Sequence, residues 1–236
     1  MSDKKSHLWI PDEEVQRLDK RLTARPKPRK VSFVEHGNKL SQSLMSIKTT
    51  LENVAADNSL SDMDLFVFNV ELPEGEKIKD KKEIFDSTGM KIRAVKNVRS
   101  AIVTSTISQF EALRRKVDNY GRSGTGKTYF DYIEDFKPYI GNVKNSSELT
   151  RQMSKDIPPV TLDVQLMLIP NLDSSLYESA LAKLVSKISS AEGSIQEEPY
   201  YLSDNTPVIR AIIPSTSLIR YENDPAIYRI EETDFF

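Results

Sequence analysis

The stretch Leu162-Asp163-Val164-Gln165-Leu166-Met167-Leu168 decides the fold of the last third of this chain. Leucine and valine alternate with Asp163, Gln165 and Met167, which is the two-residue period of a strand with one buried face. Pro170-Asn171 closes it. A strand with one apolar face needs a helix to cover that face. Ser174 or Ser175 stands where it can cap such a helix, with Tyr177, Leu181, Leu184 and Ile188 along it and Gly193 just past its end. Residues 195–202 and 208–213 then read as two strands across the turn Ser203-Asp204-Asn205-Thr206. Pro214-Ser215 opens a short helix with Leu218 and Ile219, Asp224-Pro225 ends it, and residues 226–230 form a last strand. Over residues 160–231 the order is strand, helix, strand, strand, helix, strand. That is the ferredoxin-like βαββαβ arrangement, in which two helices cover one face of a four-stranded antiparallel sheet.

Working backwards, residues 64–120 give the same order of elements. Residues 65–72 are rich in strand formers and stop at Pro73 and Gly75; residues 77–86 are helix-like, with Ile78, Ile84 and Phe85 ahead of Gly89. Residues 90–95 and 98–104 read as strands with Asn97 near the turn. Thr106-x-x-Gln109 is a capping box ahead of a helix with Phe110, Leu113, Val117 and Tyr120 on one face. Residues 129–139 offer a final strand, and residues 142–159 read as a polar linker. Upstream, Leu40, Leu44, Ile47, Leu51 and Val54 follow steps of 4, 3, 4 and 3, the stripe of an amphipathic helix. Residues 1–37 read as an extended arm. The expected class is α+β, two ferredoxin-like modules in tandem preceded by that arm and helix, with divisions at 1–58, 59–147 and 148–236. Nothing in the letters repeats, so the suggested duplication rests on element order alone.

Composition narrows the function. With 236 residues, 38% hydrophobic and 29% charged, the chain can bury two ordinary cores under a charged surface. No apolar run approaches a membrane span, and the first ten residues hold no apolar stretch of signal-peptide type. Cysteine is absent, which excludes disulfides, thiolate metal sites and a cysteine nucleophile, and agrees with a reducing cytoplasm. A formal net charge of -2 gives no footprint for nucleic acid over the whole chain. The basic, proline-containing segment from Arg21 to Lys30 reads as a solvated arm.

One motif looks catalytic. Residues 121–128, GRSGTGKT, match G-x-x-x-x-G-K-[ST], in which backbone N–H groups wrap phosphates, a lysine reaches the terminal ones and a hydroxyl holds magnesium. Gly121, Gly126, Lys127 and Thr128 would be the nucleotide-binding residues. The context is wrong, because such a loop leaves a buried strand and enters a helix, and this one leaves an amphipathic helix. Other catalytic sets are thinner. The two histidines, His7 and His36, both fall in the arm. The pairs Glu134-Asp135, Glu197-Glu198 and Glu231-Glu232 point to opposite faces if on strands, and Asp86-Ser-Thr-Gly89 lacks the adjacency of an aspartic-protease turn.

Four features taken together, His7-Leu8-x-Ile10-Pro11, Arg25-Pro26, Glu35-His36-Gly37-x-x-Leu40 and the 110–120 helix before a Gly-Lys loop, resemble the N-terminal region of large bacterial subtilases. These are cytosolic serine proteases often encoded beside an AAA-type ATPase. The C-terminal βαββαβ unit is similar to the subtilisin propeptide, a folding chaperone and inhibitor of its own protease. The resemblance implies a non-enzymatic, cytoplasmic regulator without cofactor or metal, whose partner is a subtilase domain in cis or trans, with the ATPase as a second candidate. It also implies that Arg229, Ile230, Glu231, Glu232, Thr233, Asp234, Phe235 and Phe236 form a tail threading the substrate cleft as an added strand, its aromatic end suited to an apolar pocket. The protease's Asp, His and Ser motifs are not in this sequence, which leaves a fragment, a cleaved prodomain or a stand-alone relative. The alternatives are a nucleotide-binding protein using residues 121–128 and a protein-interaction scaffold offering sheet edges.

Overall fold

A computed structural model describes residues 32–54, 58–60 and 64–233. The helix α1 (Phe33–Asn53) buries Leu40, Leu44, Ile47 and Leu51, as their spacing requires. It begins at Phe33, ahead of the apolar stripe, so His36 and Gly37 are helical rather than part of an extended arm. Strand β1 (Leu65–Glu71) follows, then a single 3-10 turn at Ile78–Asp80 and helix α2 (Lys82–Thr88). The expected single helix over 77–86 is split at Lys81, whose φ of -125° and ψ of 21° lie outside the helical range. Gly89 ends α2 at φ 76°, a left-handed cap that suits glycine. Strands β2 (Lys91–Asn97) and β3 (Ser100–Thr106) lie later than expected. Their turn centres on Val98-Arg99, where Asn97 Oδ1 accepts from the Arg99 amide at 2.9 Å. The capping box forms as read, with Thr106 and Gln109 bonding reciprocally ahead of α3 (Ile107–Ser123). One turn of helix, α4 (Lys127–Phe130), leads to β4 (Asp135–Pro138), shorter than the strand expected over 129–139.

The region read as a linker is structured, with a 3-10 turn at Gly141–Lys144 and helix α5 (Ser147–Met153) capped by Ser146. Strand β5 (Thr161–Leu168) buries Leu162, Val164, Leu166 and Leu168 as the alternation requires. Asp173, not Ser174 or Ser175, is the N-cap of α6 (Ser174–Ser190), whose buried face is Tyr177, Ala180, Leu184, Lys187 and Ile188. Leu181 is only partly buried against that core. The strand expected over 195–202 exists only as two dipeptides, β6 (Ser194–Ile195) and β7 (Tyr200–Tyr201). Pro199, which lacks a donor, lies between them. Strand β8 (Pro207–Pro214), a 3-10 turn, α7 (Leu218–Glu222) and β9 (Ile227–Glu232) are the last elements among the described residues. Within α7, Leu218 is buried and Ile219 is exposed.

The fold is mixed α+β with two antiparallel sheets. The first has the order β2-β3-β1-β4, and the second β6-β8-β5-β9 with β7 also paired to β8. In both, the first strand in sequence sits between the last two. One face of the first sheet, with Phe68, Val70, Ala101 and Val103, joins α1 and α3 in one core. From its other face, Val67 and Ile102 join the core of the second sheet, with Leu166, Leu184 and Ile209. Helices α1 and α3 approach most closely at Gly37 and Gly121, where a Cβ on Gly37 would lie 2.3 Å from Gly121 Cα. All described residues belong to one compact unit, 31–236.

Candidate functional site

The second sheet presents a half-exposed outer face. Along β5, Asp163, Gln165 and Met167 point away from the core and are half-buried. Across the sheet Asp163 is in register with Ile212, and Gln165 lies between Arg210 on β8 and Glu231 on β9. Arg210 grips Asp163 with two bonds of 3.1 and 2.9 Å, which holds the Asp163 carboxyl below its ordinary range. Tyr200 donates to Gln165 Oε1 at 3.0 Å. The same aspartate fixes the end of the last strand: Thr233 donates from its amide to the Asp163 carbonyl and from its hydroxyl to Asp163 Oδ1, both at 3.0 Å.

This arrangement corrects the expected tail. Arg229, Ile230, Glu231 and Glu232 are part of β9, which runs two residues beyond its expected end, and Ile230 is fully buried. Arg229 pairs with Glu231 at 2.7 Å, and Glu232 accepts from the Gln152 side chain. The middle of β9 is also covered from outside, since Asn145 bridges Ile230 and the Ser146 amide donates to the Ile230 carbonyl at 2.8 Å. These residues cannot leave the sheet without opening the core. Thr233 is clamped, and Asp234, Phe235 and Phe236 lie outside the described residues, as do His7 to Pro11 and the basic arm.

The Gly-Lys motif is taken apart by the fold. Gly121 lies inside α3 and is buried against Gly37, not in a loop. Gly124 caps α3 at φ 70°, Gly126 precedes α4 at φ 86°, and Lys127 and Thr128 are exposed on a helix of one turn. Lys127 Nζ stands 4.7 Å over the Phe33 ring, a cation–π contact. Beside the motif, His36 donates from Nε2 to the Ile133 carbonyl at 2.9 Å, with Nδ1 2.9 Å from the Tyr120 hydroxyl, which donates to Asp131 at 2.8 Å. Burial pushes the His36 pKa down and the Tyr120 pKa up. A raised phenol and a histidine tied to a main-chain carbonyl make a structural clasp between α1, α3 and the chain entering β4.

Sequence reasoning missed a buried ionic seam. Asp224 is fully buried and accepts from the Ser59 hydroxyl and amide at 2.5 and 3.1 Å, from the Ala226 amide at 2.9 Å and from Lys187. Its carbonyl accepts from Lys144 at 2.6 Å. Asn145 donates to Glu222 at 2.5 Å beside it. Burial lowers the Lys144 ammonium to about 7. Ser59 and Lys144 flank the first sheet in sequence, whereas Lys187 and Asp224 belong to the second, so the seam joins the halves. No local signal marks it, since Lys144 sits in a polar stretch and Asp224 precedes a proline like any helix stop. Among the described residues no group of histidine, aspartate and glutamate could hold a metal ion, and no helix is long and apolar enough to cross a membrane. The chain matches no protein-family model and no curated protein.

Proposed function

We propose that this chain is a non-catalytic, prodomain-like regulator of a cytoplasmic bacterial subtilase, built from two tandem ferredoxin-like modules, one over 59–147 and one over 148–236. The observation that carries the reading is the second sheet. Its strand order, its helices on one face and its half-exposed outer face of Gln165, Met167 and Ile212 are what a propeptide needs to lie on a protease. The Asp163–Thr233 clamp then fixes where the chain departs from that sheet. Under this reading the segment free to enter a substrate cleft begins after Thr233, and Phe235 and Phe236 supply its apolar anchors. The outer face supplies docking area, and an AAA-type ATPase is a further candidate partner.

The test is inhibition of the protease domain encoded with this chain, read as hydrolysis of a peptide substrate. Truncation after Thr233 is expected to raise the inhibition constant about thirtyfold, the loss of one aromatic anchor worth about 2 kcal/mol, with an unchanged thermal midpoint. Charging the outer face with Met167→Glu and Ile212→Glu is expected to abolish inhibition. Failure of the intact chain to bind or inhibit the protease sinks the proposal.

A further inference from the structure

We propose that the cleft along the free edge of β2 binds an acidic, extended peptide as an added strand, a site separate from the outer face of the second sheet. The cleft encloses about 740 Å³, within the range of ligand pockets. Its lining comes from both faces of one strand. Ile92 and Val95 pair with Val103 and Ala101 of the first core, whereas Ala94 pairs with Ile102 of the second. A cleft touching all three must run along the edge rather than over a face. β2 is terminal in its sheet, so that edge carries unpaired main-chain groups. The Arg93 carbonyl is the one already taken, accepting from the Asn171 side-chain amide at 3.0 Å, which shows that an amide can pair along this strand.

Charge selects the occupant. Lys77, Lys79 and Lys82 line the cleft, are exposed, and have no carboxylate at ion-pair distance among the described residues. Arg93 lies at its base, 5% exposed, donating from Nε to Thr104 at 2.7 Å and from Nη1 to the Asn171 carbonyl, with the Asp173 carboxylate near enough to act on its charge. Apolar surface lies beside these cations: Val95 is 57% and Val98 61% exposed. A free phosphate would use the lysines and leave the valines wet. Lysines serving only to guard an edge against aggregation would not need exposed valines beside them. An extended peptide alternating carboxylates with branched apolar residues satisfies both features and the strand edge together.

The experiment is fluorescence anisotropy with a labelled peptide of about eight alternating valine and glutamate residues, a strand's length. Saturable binding to the intact chain is expected, weakened about tenfold or more by Lys77→Glu, Lys79→Glu and Lys82→Glu together. N-methylation of alternate peptide bonds, which keeps charge and side chains but removes donors, is expected to weaken it as much. Val98→Glu, at an exposed position, serves as a second variant that does not touch the lysines. Absence of saturable binding overturns the proposal, as does equal binding of the N-methylated peptide, which would leave an electrostatic patch only. Circular dichroism of each variant must match the parent.

Discussion

The two sheets share a strand order and differ in what covers them. In the first, β3 is buried at every position from Ser100 to Ser105, because helices α1 and α3 take one face and the second core takes the other. In the second, β5 alternates buried and half-buried residues from Leu162 to Leu168. Continuous burial marks a sheet satisfied within the chain, and alternation marks one with a face left over. The faces of the first sheet are therefore committed to structure, which leaves only its β2 edge open, and the second sheet offers a face to something else. Their interiors differ too. The first core is apolar and admits two helices at glycine-to-glycine contact, while the ionic seam centred on Asp224 ties the halves together.

The largest expected effect comes from breaking that seam. Asp224→Ala removes the carboxylate from Lys187 and from the Ser59 hydroxyl and amide, breaking the buried ion pair at the centre of the seam. Breaking such a pair costs about 3 to 5 kcal/mol, measured by urea unfolding. A loss under about 1 kcal/mol would mean that the halves are held by apolar contact alone. Next comes Gly37→Ala, which tests the first half by itself. The new methyl would meet the α3 backbone at 2.3 Å, so the helices must separate, at a cost of about 1 to 3 kcal/mol. Binding at the second sheet's outer face is expected to survive this change in the protein that remains folded.

The comparison also explains what could be read from the letters. The Leu162 to Leu168 alternation, the α1 stripe and the Thr106–Gln109 capping box were legible because each is a local pattern imposed by one burial direction or one hydrogen-bonded turn. Element order was legible for the same reason. The broken strand around Pro199 was legible in principle, since proline between Glu198 and Tyr200 argues against a continuous ladder. What lay beyond reach was long-range. Nothing near Ile230 announces that it is pinned by Asn145 and Ser146, and nothing near Lys144 announces Asp224, eighty residues away. The β2 cleft is hidden likewise, because its lysines and valines become neighbours only when the 77–82 segment folds back on the hairpin.

Acidity separates the seam between the halves from the α1–α3 clasp by pH window. Lys144 has a folded-state pKa of about 7 against an ordinary 10.5, because burial disfavours its charge. Between those values the unfolded chain holds a proton that the folded chain has released, so stability rises with pH by about 1.4 kcal/mol per unit for one proton. The contribution is complete above about 10.5 and lost as pH falls through about 7. Lys144→Met is expected to flatten that slope. In the first half the group is His36, also lowered by burial, so its contribution is present above the ordinary 6.5 and lost as pH falls through the depressed value. His36→Gln is expected to flatten the acid limb and leave the alkaline one. Both variants changing the same limb would show that the seam and the clasp do not titrate separately.

The smallest expected effect belongs to Lys127→Ala, and it decides whether the Gly-Lys segment of the first half binds nucleotide. A phosphate-binding loop needs Gly121 in the loop and Lys127 entering a long helix whose amides converge on the anion. Here Gly121 is locked inside α3 by its contact with Gly37, and Lys127 opens a helix of four residues with its ammonium over Phe33. Removing that ammonium forfeits an exposed cation–π contact, so the unfolding free energy is expected to fall by about 0.5 kcal/mol. Equilibrium dialysis with magnesium and labelled ATP is expected to show no binding by either protein. Tight binding by the parent that disappears in the variant would require α3 to unwind at Gly121. The α1–α3 contact would then be a switch rather than a fixed joint.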